Sequence, residues 1–256
     1  MIPDKTAIAA ALARAKRTGA DFSELYFEDT VSQSLGLVSS SIEDAVSARN
    51  IGAGIRLLKG TRCVYAYGND VSPSGLLALA DSAAAALSGS AEIQDIVLTP
   101  AYVPRMNPIV IPCHKGNIRR KADLLRRADA AARAKSPEIA QVNAAVREQY
   151  KTVIIANSEG LYAQDERAYC RFFVSAVAHS GSENQSGSAS PGAHAGSEFL
   201  DTLDIDALAR SAADCAVTML HAPLCPAGIM PVVMDNGFGG VIFHEACGHS
   251  LEATSV

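Results

Sequence analysis

Four prolines, Pro100, Pro104, Pro108 and Pro112, stand at four-residue intervals in the first half of the chain. Proline fixes φ and lacks a backbone N–H, so neither a helix nor a central strand survives that spacing. Residues 100–114 are therefore an extended connector, and they divide the chain into units that must each find their own secondary structure. With 256 residues, 48% of them hydrophobic, there is enough apolar material to bury a substantial core.

Residues 1–99 read as an N-terminal α+β domain. Ile8, Leu12 and Ala15 share one helical face between Asp4 and Thr18, with Lys16 and Arg17 in the last turn and Gly19 as C-cap. Short β-branched and aromatic runs follow (25–27, 31–35, 55–58 and 63–67), broken by glycine and polar turns, as in an antiparallel meander. Ser72-Pro73 is an N-cap with a first-turn proline, and the Leu/Ala-rich run to Leu87 makes a second helix. Gly52-x-Gly54 precedes a strand and not a helix N-terminus, so close backbone approach or a bulge explains it better than phosphate binding.

Beyond the connector, 115–225 reads as a second α+β unit. A helix over 115–135 carries Leu124, Leu125, Ala128, Ala131 and Ala132 as its apolar stripe, with Arg119, Arg120, Lys121, Arg126, Arg127 and Arg133 on a solvated basic face. Strands are expected at 142–150, 152–156 and 171–178 as a second antiparallel layer, with Asn157–Gly160 as a tight turn. Residues 179–196 are rich in Gly, Ser and Ala and are expected to be a mobile loop or a segment that orders on contact. A helix over 204–220 and a short strand at 230–234 complete the pattern.

Composition excludes several partners. A net charge of −5 gives no long-range attraction for polyanions, and the chain has few aromatic residues and no Trp. Neither nucleic acid nor a membrane is an expected partner. No basic and apolar leader opens the chain and no run approaches the roughly 20 apolar residues of a spanning helix, so a cytoplasmic location is expected. Six scattered cysteines without a C-x-x-C pair predict reduced and mostly buried thiols.

One stretch carries specific chemistry. Residues 241–252 read as a helix containing His244-Glu245-Ala246-Cys247-Gly248-His249. Neutral imidazoles are good ligands for a borderline-soft divalent ion, and an adjacent Glu can take a proton from water activated there. The spacing is H-E-x-x-x-H. Positions five apart on an ideal helix lie about 140° apart, against about 40° for positions four apart, so both rings reach one ion only if the helix is distorted. Gly248, with its low helix propensity, eases such a π-bulge. The bland reading is two unrelated histidines on an Ala/Gly-rich helix. Cys247 sits on a different face from His244, and His114, His179, His194 and His221 fall in loops or at element ends as ordinary polar surface.

Residues 228–254, together with Asp21–Glu28, Gly52–Arg56 and Asn157–Gly160, resemble the TldD branch of the TldD/PmbA metallopeptidase family over the whole chain. The resemblance implies an α+β fold, antiparallel sheets with flanking helices of the TldD/PmbA N-terminal type, followed at 226–256 by the start of a truncated C-terminal domain. It implies zinc as cofactor, His244 and His249 as metal ligands and Glu245 as general base. It also implies a third ligand, a cysteine far downstream, outside the 256 residues, so that the fragment alone is inactive. The implied partners are an unfolded peptide substrate, added as a strand to a sheet edge, and a PmbA/TldE-like subunit or a second copy of the chain. The competing reading is a non-catalytic peptide-binding or assembly module.

Overall fold

Odd-numbered positions of the segment 22–38 are apolar at both ends, with Leu25, Phe27, Leu35 and Leu37 all buried. The middle of the same face carries Asp29 and Gln33. A strand with one such face needs helices over its two ends and something polar between them. That is the plan of the fold. The computed structural model describes residues 2–237 and 239–255; Met1, Phe238 and Val256 lie outside the described residues.

In chain order the elements are α1 (Lys5–Ala15), β1 (Phe22–Val38), β2 (Ser41–Lys59), β3 (Arg62–Gly68), α2 (Pro73–Ala85), β4 (Thr99–Pro100), α3 (Ile118–Arg133), β5 (Ile139–Asn157), β6 (Leu161–Ser180), β7 (Glu183–Ala189), β8 (Gly192–Ala193), α4 (Ile205–His221) and α5 (Gly240–Phe243). Among the described residues the eight strands form one sheet, with β3-β2-β1-β5-β6-β4 as its order and β7 and β8 also paired to β6. All pairings are antiparallel except β4 with β6. Residues 2–221 and 222–255 belong to two separate compact units.

The class is α+β, an antiparallel sheet with flanking helices, as expected. The expectation of a second antiparallel layer is corrected. β1 pairs with β5 from Glu24↔Asn157 to Val38↔Asn143, so strands on either side of the proline connector share one sheet. Alternation in the sequence shows which face of a strand is apolar and leaves its neighbour open. The two strands expected at 142–150 and 152–156 are one, because Lys151 is held in register and its ammonium meets Glu28 at 2.9 Å.

All four long helices cover the face that carries Leu25 and Leu37. Helices α1 and α2 pack with Leu25, Phe27, Ile55 and Ile154 at one end. At the other, α3 and α4 pack with Leu37, Val142, Phe172 and Val174. Each fully buried Phe or Leu contributes about 1.5–3 kcal/mol. The caps follow the sequence: Asp4 accepts from Thr6 N–H, Ser72 accepts from Gly75 N–H ahead of Pro73, and Gly19 takes φ 77. The turn between β5 and β6 closes where Asn157 Oδ1 accepts from the N–H groups of Glu159 and Leu161, with Gly160 at φ 92.

A buried ionic cluster fills the polar middle of the covered face. The Lys121 ammonium, on α3, pairs with the Glu148 carboxylate of β5, and their side chains are only 5% and 2% exposed. Ser197 donates to Glu148, and Lys121 also donates to Gln33 of β1 at 3.2 Å and to the Cys113 carbonyl at 3.4 Å. Lys121 is thus removed from the solvated basic face expected for α3. Most of the remaining basic side chains there meet carboxylates: Arg120 with Asp201, Arg126 with Asp123, Arg127 with Asp206 and Arg133 with Asp129.

The expected mobile loop at 179–196 is instead largely strand, β7 and β8. Its small residues are what let a helix sit on it. A Cβ on Gly187 would lie 2.3 Å from the Ala212 carbonyl oxygen and 2.6 Å from Cys215 Cβ, so α4 packs against bare backbone there. Replacing Gly187 by Val is expected to push α4 off the sheet and cost about 1–3 kcal/mol, read as a lowered urea midpoint. An unchanged midpoint would contradict this packing.

Two further expectations are corrected. Residues 230–234 form no strand, since their backbone groups meet no neighbouring strand among the described residues, and Val232 and Val233 are exposed. The thiols are free, but Cys63, Cys215, Cys225 and Cys247 are exposed and only Cys113 and Cys170 are buried. Burial, reinforced by the Glu148 carboxylate, pushes the Cys170 thiol up to about 12, which leaves it an inert thiol.

Candidate metal centre

Gly239 and Gly240 open the last helical segment, which runs as α5 through Phe243, then as a π-turn over His244–Gly248, then as a tighter turn over His249–Leu251. The His249 N–H donates to the His244 carbonyl, the i to i+5 bond that defines a π-turn. Such a turn is wider than an α-turn and brings positions five apart onto one face. The distortion required by the H-E-x-x-x-H spacing is present at the residues that require it.

The two imidazole rings lie 4.5 Å apart, edge to face at 64°. One ligand atom from each of His244, Glu245 and His249 falls within 4.8 Å of the others. Glu245 Oε2 is 3.6 Å from His249 Nε2, and Glu252 Oε1 is 2.7 Å from the ring's other nitrogen, Nδ1. Gly248 lies under the first ring: a Cβ there would stand 3.2 Å from His244 Nδ1, tighter than most real contacts. All these side chains are exposed within their unit, with Glu245 at 64% and His249 at 50%. Two imidazoles and a carboxylate are a donor set that suits a borderline divalent ion, and the residues present fit one.

Sequence reading named His244, Glu245 and His249, and the helix brings all three together. It passed over Glu252, although an acidic residue three positions after a histidine on a helical segment is a legible neighbour. Cys247 does not belong to the cluster. The remaining histidines have local partners of their own: His114 packs on Tyr150, His194 on Tyr169, His179 meets Asn184 at 2.9 Å and His221 meets Glu138 at 2.9 Å.

Sequence-family profiles match residues 23–87, described as PmbA/TldA metallopeptidase domain 1, and 117–220, described as the PmbA/TldA metallopeptidase central domain. A metalloprotease TldD homolog from Haemophilus influenzae is 30% identical over 243 residues, covering 91% of this chain and 50% of that protein. A Buchnera aphidicola TldD homolog is 26% identical over 239 residues with the same coverage. The chain spans about half the length of these curated relatives. Among solved structures, a Bacteroides thetaiotaomicron protein named as a modulator of DNA gyrase superposes with TM-score 0.69 at 13% identity, over 86% of this chain and 51% of that one. TldE from Thermococcus kodakarensis gives 0.56 at 18%, over 77% and 44%. At such identities the structures speak for the fold alone. No described helix is long and apolar enough to cross a membrane. With two consecutive domain profiles in order, TldD relatives aligned along nine-tenths of its length and the same fold in solved proteins, the chain belongs to the PmbA/TldD metallopeptidase family.

Proposed function

We propose that the chain is part of a cytoplasmic zinc-dependent peptidase subunit that cleaves unfolded peptides, and that these 256 residues hold an incomplete site. The observation that carries the reading is the π-turn, which converges His244, Glu245 and His249 despite their awkward spacing. His244 and His249 would hold the ion. When bound, zinc supplies Lewis acidity that lowers the pKa of a water and polarises the scissile carbonyl. Glu245 accepts a proton from the attacking water and returns it to the leaving amine, the general acid–base work that a carboxylate beside an imidazole is placed to do. A catalytic zinc takes three protein ligands, and the proposed third is a cysteine outside these residues.

The test is hydrolysis of an unstructured peptide by a polypeptide of the relatives' length, together with a PmbA/TldE-like subunit. Activity present in wild type and absent in Glu245→Gln supports the reading.

A second role is favoured by the sheet. The four long helices cover one face of the sheet; along the other, Tyr65 and Tyr67 are exposed within their unit and open concavities of about 610 and 520 Å³ are present. This surface suits non-catalytic assembly with a PmbA/TldE-like subunit or a second copy, and the sheet edge suits strand addition by an extended peptide.

A further inference from the structure

We infer that Glu252 is a positioning residue for His249: its carboxylate fixes the imidazole with the proton on Nδ1 and the lone pair on Nε2, the nitrogen on the side of Glu245. The inference rests on the proposed metal site for its purpose, and on the ring's own geometry for its substance.

The two nitrogens of His249 face different neighbours. Nδ1 lies 2.7 Å from Glu252 Oε1, a hydrogen-bond distance, while Nε2 lies 3.6 Å from Glu245 Oε2, beyond one. An ionised carboxylate only accepts, so the nitrogen in contact with Glu252 must be the donor. A neutral imidazole has one N–H and one lone pair, so donation from Nδ1 leaves the lone pair on Nε2, the nitrogen nearer Glu245. The backbone sets this up. The helical segment ends at Leu251, and Glu252 turns to φ −70, ψ 144 while its N–H still donates to the His249 carbonyl at 3.4 Å. The Glu252 carbonyl in turn accepts from Ser255 N–H at 2.8 Å, so the break after the helix is itself tied down.

An ordinary exposed ion pair three residues apart would add a few tenths of a kcal/mol and fix nothing. A carboxylate that sets a tautomer does more, because metal-binding histidines that lose such a partner typically lose 10–100-fold in affinity. Among the described residues no carboxylate holds His244 in this way, so Glu252 acts on one of the two rings.

Two readouts on the 256-residue chain separate these accounts. Nitrogen-15 NMR of the metal-free chain, at a pH where the ring is neutral, should show His249 as the Nδ1–H tautomer in wild type and in Glu252→Gln, which keeps an acceptor oxygen. Glu252→Ala should shift it to a tautomer mixture. Zinc titration should show affinity about 10–100-fold weaker in Glu252→Ala and largely retained in Glu252→Gln. A His249 tautomer unchanged by Glu252→Ala overturns the inference, as does zinc affinity within about twofold of wild type when His244→Ala does weaken binding. If His244→Ala leaves zinc binding unchanged while the tautomer still follows Glu252, the metal reading fails and the positioning stands.

Discussion

Glu245→Gln is expected to lower peptide hydrolysis by about 10²–10⁴-fold in kcat/KM, about 3–5 kcal/mol of transition-state stabilisation, in the proposed peptidase of the relatives' length assayed with a PmbA/TldE-like subunit. The amide keeps the size of the side chain and removes its ability to take a proton. If Glu245 acts as base and not as ligand, zinc affinity changes little in the same variant, which separates lost chemistry from lost metal. Its position supports the first role: the carboxylate stands 3.6 Å from His249 Nε2 and is 64% exposed, open to an approaching water. Full activity in Glu245→Gln would remove it from the mechanism.

The second large effect is on stability. Lys121→Met is expected to destabilise the chain by about 3–5 kcal/mol, because it strands the Glu148 carboxylate in a site 2% exposed to solvent. Ser197 would remain as its hydrogen-bond donor and does not neutralise the charge. The paired variant Lys121→Met/Glu148→Leu should recover most of the loss, since a well-packed apolar pair often replaces a buried ion pair at no net cost. Urea unfolding of the two variants checks both statements. A single-variant loss below about 1 kcal/mol would mean that water reaches the cluster, against the burial described.

The buried pair also shows where the sequence was opaque. Lys121 sits in a helix with five arginines, Arg119, Arg120, Arg126, Arg127 and Arg133, and nothing local distinguishes it from them. It faces inward because β1 and β5 are neighbours, which places Gln33 and Glu148 under α3. That pairing joins residues more than a hundred positions apart and is set by tertiary packing. The strand β7 was hidden for a related reason. Its Gly and Ser residues look like loop, and they serve as strand only because α4 comes close enough to need Gly187 bare. Local punctuation was legible at Gly19, Ser72-Pro73 and Gly160, each of which acts where backbone chemistry requires it.

The site was legible for the opposite reason. His244 and His249 are five positions apart on one helical segment, so whether they share a face is a local matter that turns on whether the helix widens. Gly248 and the i to i+5 bond from His249 to His244 answer it. Glu252 carries no ligand signal in the sequence, because a tautomer and a ring orientation are set one contact beyond the atoms that would touch the ion.

The proposed function makes this π-turn one part of a metal site. Zinc titration of the 256-residue chain, compared with His244→Ala and His249→Ala, tests it most directly. If the proposed third ligand lies outside these residues, one zinc binds per wild-type chain with roughly micromolar affinity, weaker by at least about tenfold in either variant, because complete sites bind in the nanomolar range or below. Wild-type binding no tighter than that of the two variants would contradict the site, and nanomolar affinity would contradict its being incomplete.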